Sequence, residues 1–131
     1  MKFLCLLYYD TAVFASLTQP ELESIGPSCT PHDAALKATG RVVTQASLST
    51  PETWFHIVPR DGQPEVKPGK YLNSSAQAGA FLVVDASNIE EAVAVASKHA
   101  AANVGERLGF AVEVRPCESF ETYEVTPIGD A

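Results

Sequence analysis

Apolar and polar positions recur along this chain with two periods, and residues 79–115 show both. Gly79 to Asp85 is an apolar run rich in β-formers, and Phe110 to Arg115 alternates apolar with charged residues; both predict strands. Between them Ser87, Asn88, Ile89 and Glu90 spell a capping box, with Ser87 as N-cap and Glu90 reaching back from the third helical position. Ile89, Ala92, Val93, Ala96 and Ala100 then follow at helical spacing on one stripe. The unit predicted here is strand, capped helix, strand.

The N-terminal half repeats that order. Lys2 to Tyr9 is a strand apolar on both faces, which predicts a central place in a sheet. A helical region begins near Thr18, with Leu17, Leu22 and Ile25 at helical spacing, but Gly26-Pro27 interrupts it. A new start follows, with Thr30 as N-cap, Pro31 in the first turn and Gly40 as the stop. The expectation is a broken helix, 18–26 and 31–39. Arg41 to Leu48 is the next strand. Thr53 to Pro59 and Gln63 to Lys67 flank Arg60-Asp61-Gly62-Gln63, an Asp-Gly hairpin turn, and Pro64 and Pro68 make the return arm an edge. Residues 67–77 are polar loop. Residues 119–131 form an acidic tail in which Tyr123 and Val125 are the candidates for docking.

Two β-α-β halves with a hairpin inserted at 50–70 predict an α+β, ferredoxin-like antiparallel sheet carrying its helices on one face, in a single domain over residues 1–118. The other sheet face is also apolar, so it needs a cover. A second copy is the commonest solution, and a homodimer is expected.

Composition narrows the function. At 131 residues, with 46% apolar and 19% charged positions, the chain has the make-up of an ordinary globular domain. A formal charge of −7 argues against a nucleic-acid partner and gives no attraction to anionic lipid. The apolar run Phe3 to Tyr9 is at the short limit for a secretory leader and ends in Asp10, and no segment approaches a membrane span, so a cytoplasmic location is expected. Cys5, Cys29 and Cys117 lack metal-like spacing and are expected to be reduced thiols. No metal site, glycine-rich phosphate loop or GxSxG element is present in the sequence, and no cofactor is expected.

The candidate chemistry lies on strands. In TWFHIVP, alternation puts Trp54 and His56 on one face, where an imidazole beside an indole suits a flat organic ligand and His56 is the candidate acid/base. An exposed hairpin histidine beside a packed tryptophan is the alternative. Glu113 and Arg115 share a face two residues apart. They fit a bidentate clamp for a carboxylate, with Glu113 orienting the arginine or acting as base, or else a cross-strand or intersubunit ion pair. Tyr9 and Asp10, with Tyr8, end the first strand, a common place for ligand contacts, although core or interface packing is the alternative for the tyrosines. His32-Asp33 cannot form a dyad because adjacent helical residues point about 100° apart. His99, near a helix C-terminus where a cation is favoured, is expected to be structural.

The order of elements, GAFLVVDASNIEEAVAVAS and above all EVRP at Glu113–Pro116 resemble the YciI-related proteins of the DGPFAETKE branch, over nearly all of residues 1–118. Where the branch reads TDGPFAETKEQLGGF, this chain reads KPGKYLNSSAQAGAF, keeping Gly69, Gln77, Gly79 and Phe81 but replacing the acid of Asp-Gly with Pro68. The resemblance implies a dimeric α/β barrel made of two ferredoxin-like sheets face to face, and gene neighbourhoods shared with alternative sigma factors. It also implies that some relatives with a His-Asp pair act as lyase-like enzymes on aromatic substrates. Three functions follow as expectations: a small-molecule-binding or regulatory homodimer, a cofactor-free acid/base enzyme acting on a small organic acid or aromatic, and a protein-interaction partner in a sigma-factor pathway.

Overall fold

The computed structural model describes residues 1–129; the last two positions of the expected tail, 130 and 131, lie outside the described residues. Strands β1 (Lys2–Asp10), β2 (Val42–Ser47), β5 (Ala76–Asp85) and β6 (Ala111–Pro116) form one antiparallel sheet in the order β2-β5-β1-β6, and β3 (Phe55–Arg60) pairs only with β4 (Gln63–Pro68). With the β3–β4 hairpin set aside, this is the ferredoxin-like order, each half contributing one inner and one outer strand. The twice-apolar β1 is indeed an inner strand. At the hairpin turn Asp61 and Gly62 both hold positive φ, 51° and 77°, the twist that a two-residue connection requires.

Burial alternates along β1. Phe3, Cys5, Leu7 and Tyr9 face the helices and are buried, whereas Leu4, Leu6 and Tyr8 on the opposite face are only half-buried. The core joins Phe3, Cys5 and Leu7 to Leu82, Val84, Leu36, Ala92, Val95 and Ala96. It encloses the Cys5 thiol, whose pKa burial pushes up to about 11, with a smaller contribution from Cys117. All three cysteines are free.

The expected break in the first helix does not occur. A short helix α1 (Thr11–Ala15) comes first, and α2 then runs unbroken from Gln19 to Ala38 through Pro27 and Pro31. Its start is a capping box in which Thr18 Oγ1 accepts from the Glu21 N–H while the Glu21 carboxylate accepts from the Thr18 N–H. Thr30 is no cap: its hydroxyl donates to Gly26 O at 3.2 Å. The continuity has a physical reason. Leu22, Ile25, Cys29, His32 and Leu36 form the inward stripe, while both prolines stand on the wet face, where water can satisfy the carbonyls their missing N–H groups leave free.

The second helix start also moves. The N-cap of α3 (Ile89–Ala96) is Asn88, whose side chain accepts from Glu91 N at 2.8 Å, and not Ser87. The helix ends at Ala96, so Ala100 belongs to a separate 3₁₀ turn, and the buried side becomes Ala92, Val95 and Ala96, with Ile89 and Val93 exposed. Ala92 and Ala96 are common to the expected and observed stripes, and the buried side is centred closer to Val95.

After β6 the chain lies back on β1, with Cys117 N donating to Lys2 O and the Lys2 ammonium 5.8 Å from the centre of the Phe120 ring. Beyond it Tyr123 and Val125 are exposed rather than docked. Among the described residues no helix is long and apolar enough to cross a membrane.

Candidate functional site

A cavity of about 230 Å³ opens on the helix side of the sheet, walled by Leu7, Tyr9, Phe14, Ala80, His99 and Phe110. Local structure explains its shape. The β1–β5 register slips between Leu7 and Tyr8, which pair with Ala80 and Ala78 and leave Gly79 as the extra residue. A Cβ at Gly79 would fall 2.7–2.8 Å from the Tyr9 ring, so glycine is what allows the tyrosine to lie across the bulge. Tyr9 then meets Phe14 edge to face, with ring centres 5.3 Å apart. Burial, followed by the charge of Glu52, pushes the Tyr9 hydroxyl pKa upward.

A second cavity of about 480 Å³ shares Leu7, Cys29, Ala80, His99 and Ala100 with the first and extends to Asp33, Lys37, Gln45 and Ser47. The two make one cleft beneath α2, apolar at one end and polar at the other.

His99 sits where they meet. Its Nδ1 accepts a hydrogen bond from Ala101 N at 2.9 Å, capping the 3₁₀ turn, so the neutral ring carries its proton on Nε2. Burial lowers its pKa, opposed by the nearby Asp33 carboxylate and reinforced by His32. A cation is therefore disfavoured here, the reverse of the expectation from a helix end. The histidine does have the structural role expected of it, but its place in the cleft was missed. The only signal was a lone histidine immediately after an alanine-rich helix.

His56 has the opposite tautomer. Its Nδ1 lies 3.0 Å from Gly69 O, a carbonyl that can only accept, so Nδ1 bears the proton and Nε2 is left as an acceptor. Gly69 is fixed in turn by its own N–H, which donates to Trp54 O at 2.7 Å, and the Tyr71 ring lies 5.9 Å from the imidazole. Trp54 donates from Nε1 to Ser49 O at 2.8 Å. The loop that follows β4 is thus the element that orients His56.

Glu113 and Arg115 stand on the open face of the four-stranded sheet, opposite Leu6 and Leu4 of β1. Arg115 donates to Glu113 Oε1 from Nε (2.8 Å) and from a terminal nitrogen (2.5 Å), and Tyr8 Oη donates to the same oxygen at 3.2 Å. Arg115 holds the Glu113 carboxyl below its ordinary pKa. Within one chain these two are partners of each other, on a different sheet from the one that carries His56; Trp54 stands just before that sheet, at the end of a 3₁₀ turn (Pro51–Thr53) and not in the strand expected from Thr53. Tyr9 lines the cleft. Asp10 instead caps α1, its carboxylate accepting from Ala12 N and Val13 N at 2.9 and 3.1 Å. Among the described residues no group of three or more His, Cys, Asp and Glu side chains is arranged to hold a metal ion.

Comparison with known proteins agrees with this architecture. The model of the YCII-related domain matches residues 1–118, nine-tenths of the chain. No curated protein matches it. The chain belongs to the YCII-related family.

Proposed function

We propose, with membership of that family as the premise, that the chain acts as a small-molecule-binding homodimer whose ligand occupies the cleft beneath α2. The observation that carries this reading is His99. It stands in the wall of an apolar cavity with Nδ1 committed to the backbone, which makes it a fixed hydrogen-bond donor rather than a base. A fixed donor in a mostly apolar hollow is the arrangement of a binding site, in which few polar groups orient a mostly apolar ligand. The apolar end, at about 230 Å³, lies below the roughly 300–1,000 Å³ of sites for drug-sized ligands, so the group it holds is a small one.

The second copy would cover the open sheet face, where Leu4, Leu6 and Phe81 are only half-buried, and the hairpin stripe of Phe55, Ile57 and Val66, exposed at 69, 64 and 57%. Two sheets facing each other would form the dimeric barrel. Sedimentation at micromolar concentration is expected to report twice the 14.0 kDa chain mass. Screening small aromatic fragments by NMR is expected to move the Phe14 and Phe110 ring signals. A monomer, or a screen in which those rings never respond, would overturn the proposal.

The His56 tautomer favours a second reading, acid/base catalysis on a small organic acid or aromatic. An imidazole whose Nδ1–H is held by a carbonyl presents the Nε2 lone pair that a general base needs. In that case Arg115, with Glu113, would be supplied by the other subunit to hold an anionic group, with Trp54 beside it. Truncating His56 or Arg115 should then abolish ligand-induced thermal stabilisation while leaving the unliganded melting temperature unchanged. An Arg115→Ala protein that simply dissociates, with His56→Ala silent, argues for structural roles instead.

A further inference from the structure

The polarity of the cleft narrows the class of its ligand beyond small size, an inference that rests on the binding reading above. Its inner end is built from the rings of Tyr9, Phe14 and Phe110 with Leu7, Leu48 and Ala80 between them. At the junction with the outer end stand the His99 ring and the Cys29 thiol. The outer end carries Asp33 and Lys37, one helical turn apart and opposite in charge, with Gln45 and Ser47 across from them on β2.

A carboxylate reaching the junction would leave water for a mostly apolar wall and find only neutral donors there, the His99 ring and the weakly donating Cys29 thiol. Burying an ionised group without a partner is far more costly than burying a neutral carbonyl that accepts one hydrogen bond. Lys37 does not change the balance, since Asp33 offsets it. Depression of the His99 pKa by burial agrees with a neutral junction.

We propose that the cleft takes a neutral aromatic carbonyl compound, its ring between Tyr9, Phe14 and Phe110 and its oxygen accepting from His99 Nε2–H. Any further polar substituent extends toward Gln45 and Ser47. A carboxylate of the same size is excluded by charge, and a hydrocarbon of the same shape binds more weakly because it leaves the His99 donor unpaired.

Cys29 supplies the readout, because it lines both cavities while Cys117 lies elsewhere and Cys5 is buried. The full-length protein is alkylated with iodoacetamide at neutral pH in the presence of acetophenone, benzoate or isopropylbenzene, and each cysteine is followed by mass spectrometry. Acetophenone is expected to slow Cys29 modification at the lowest concentration, isopropylbenzene to need roughly fivefold more, and benzoate to have no effect. The rate at Cys117 should stay constant in every arm.

In His99→Asn the amide oxygen can replace Nδ1 as acceptor for Ala101 N–H while the Nε2 donor is lost, so acetophenone should fall to the isopropylbenzene level. Ala80→Ile, which fills the shared wall, should abolish protection by either. Protection by benzoate equal to that by acetophenone, or unchanged preference in His99→Asn, overturns the neutral-carbonyl assignment and leaves the binding site standing. If none of the three probes protects Cys29, the site and the assignment fall together. Should His99→Asn not fold, the order of the three probes on the unmodified protein decides the question alone.

Discussion

Gly105 and Gly40 provide a paired test of how tightly the β6 end of the cleft is packed. Both hold left-handed backbone, φ +77° and +66°, but their surroundings differ. A Cβ on Gly40 meets nothing within 4 Å, whereas one on Gly105 would lie 2.6 and 2.7 Å from Cγ and Cε2 of Phe110, with Cδ2 closer still. Placing alanine in a left-handed conformation costs about 1–2 kcal/mol, and Gly40→Ala should show that alone. Gly105→Ala adds displacement of a half-buried ring that packs on the core, an overpacking cost of about 1–3 kcal/mol, for a total of about 2–5 kcal/mol. The entropy that alanine removes from the unfolded chain is common to both variants and cancels in their difference. Urea titration followed by far-UV circular dichroism, with unchanged m-values, measures both numbers. Adding Phe110→Ala to each variant isolates the ring: the extra loss in Gly105→Ala should then disappear. If the two glycine variants agree within about 0.5 kcal/mol, Phe110 yields freely and the packing argument for this end of the cleft is wrong.

The helix caps give a second test. Thr18→Ala and Asn88→Ala should each cost about 1 kcal/mol, whereas Thr30→Ala and Ser87→Ala should stay within about 0.5 kcal/mol, as four thermal melts would establish. A loss at Thr30 matching that at Thr18 would contradict the unbroken α2. The third prediction concerns pH. Because the folded-state pKa of His99 is depressed, the unfolded chain binds the proton more readily, and stability rises with pH. The contribution is fully present above the unfolded value of about 6.5 and is lost as pH falls toward the lower folded value. His99→Asn should flatten this limb of the melting-temperature profile between about pH 5 and 7, and an unchanged slope would show that Asp33 compensates for the burial.

Strand positions were legible because they depend on local alternation: the two faces of β1, the Asp61-Gly62 turn and the proline-bearing return arm are all visible over a few residues. The helix start and stop signals failed where a signal's meaning depended on orientation. Pro27 and Pro31 are helix breakers only if the carbonyls they orphan are dry, and the sequence does not say which way they face. Ser87 and Asn88 are both good caps, and the choice between them was made by how Ala92, Val95 and Ala96 meet the sheet. The pairing of Glu113 with Arg115 could be read from their spacing, since it lies within one strand. The tautomer of His56 depends on a carbonyl thirteen residues away, and that of His99 on where its helix ends. The cleft is a product of α2, the Gly79 bulge and the 3₁₀ turn together, so no single segment announces it.

The prolines of α2 have a consequence for assembly. In a regular helix the carbonyls of residues 23 and 27 would be met by the N–H groups of residues 27 and 31, which proline lacks. Water is the remaining partner, and a dry protein surface laid over that side would strip it away at the penalty of an unpaired buried carbonyl. The outer side of α2 is therefore a hydration-dependent surface from which tightly packed neighbours are barred. A second copy laid over the open sheet face, as proposed above, would meet no such penalty.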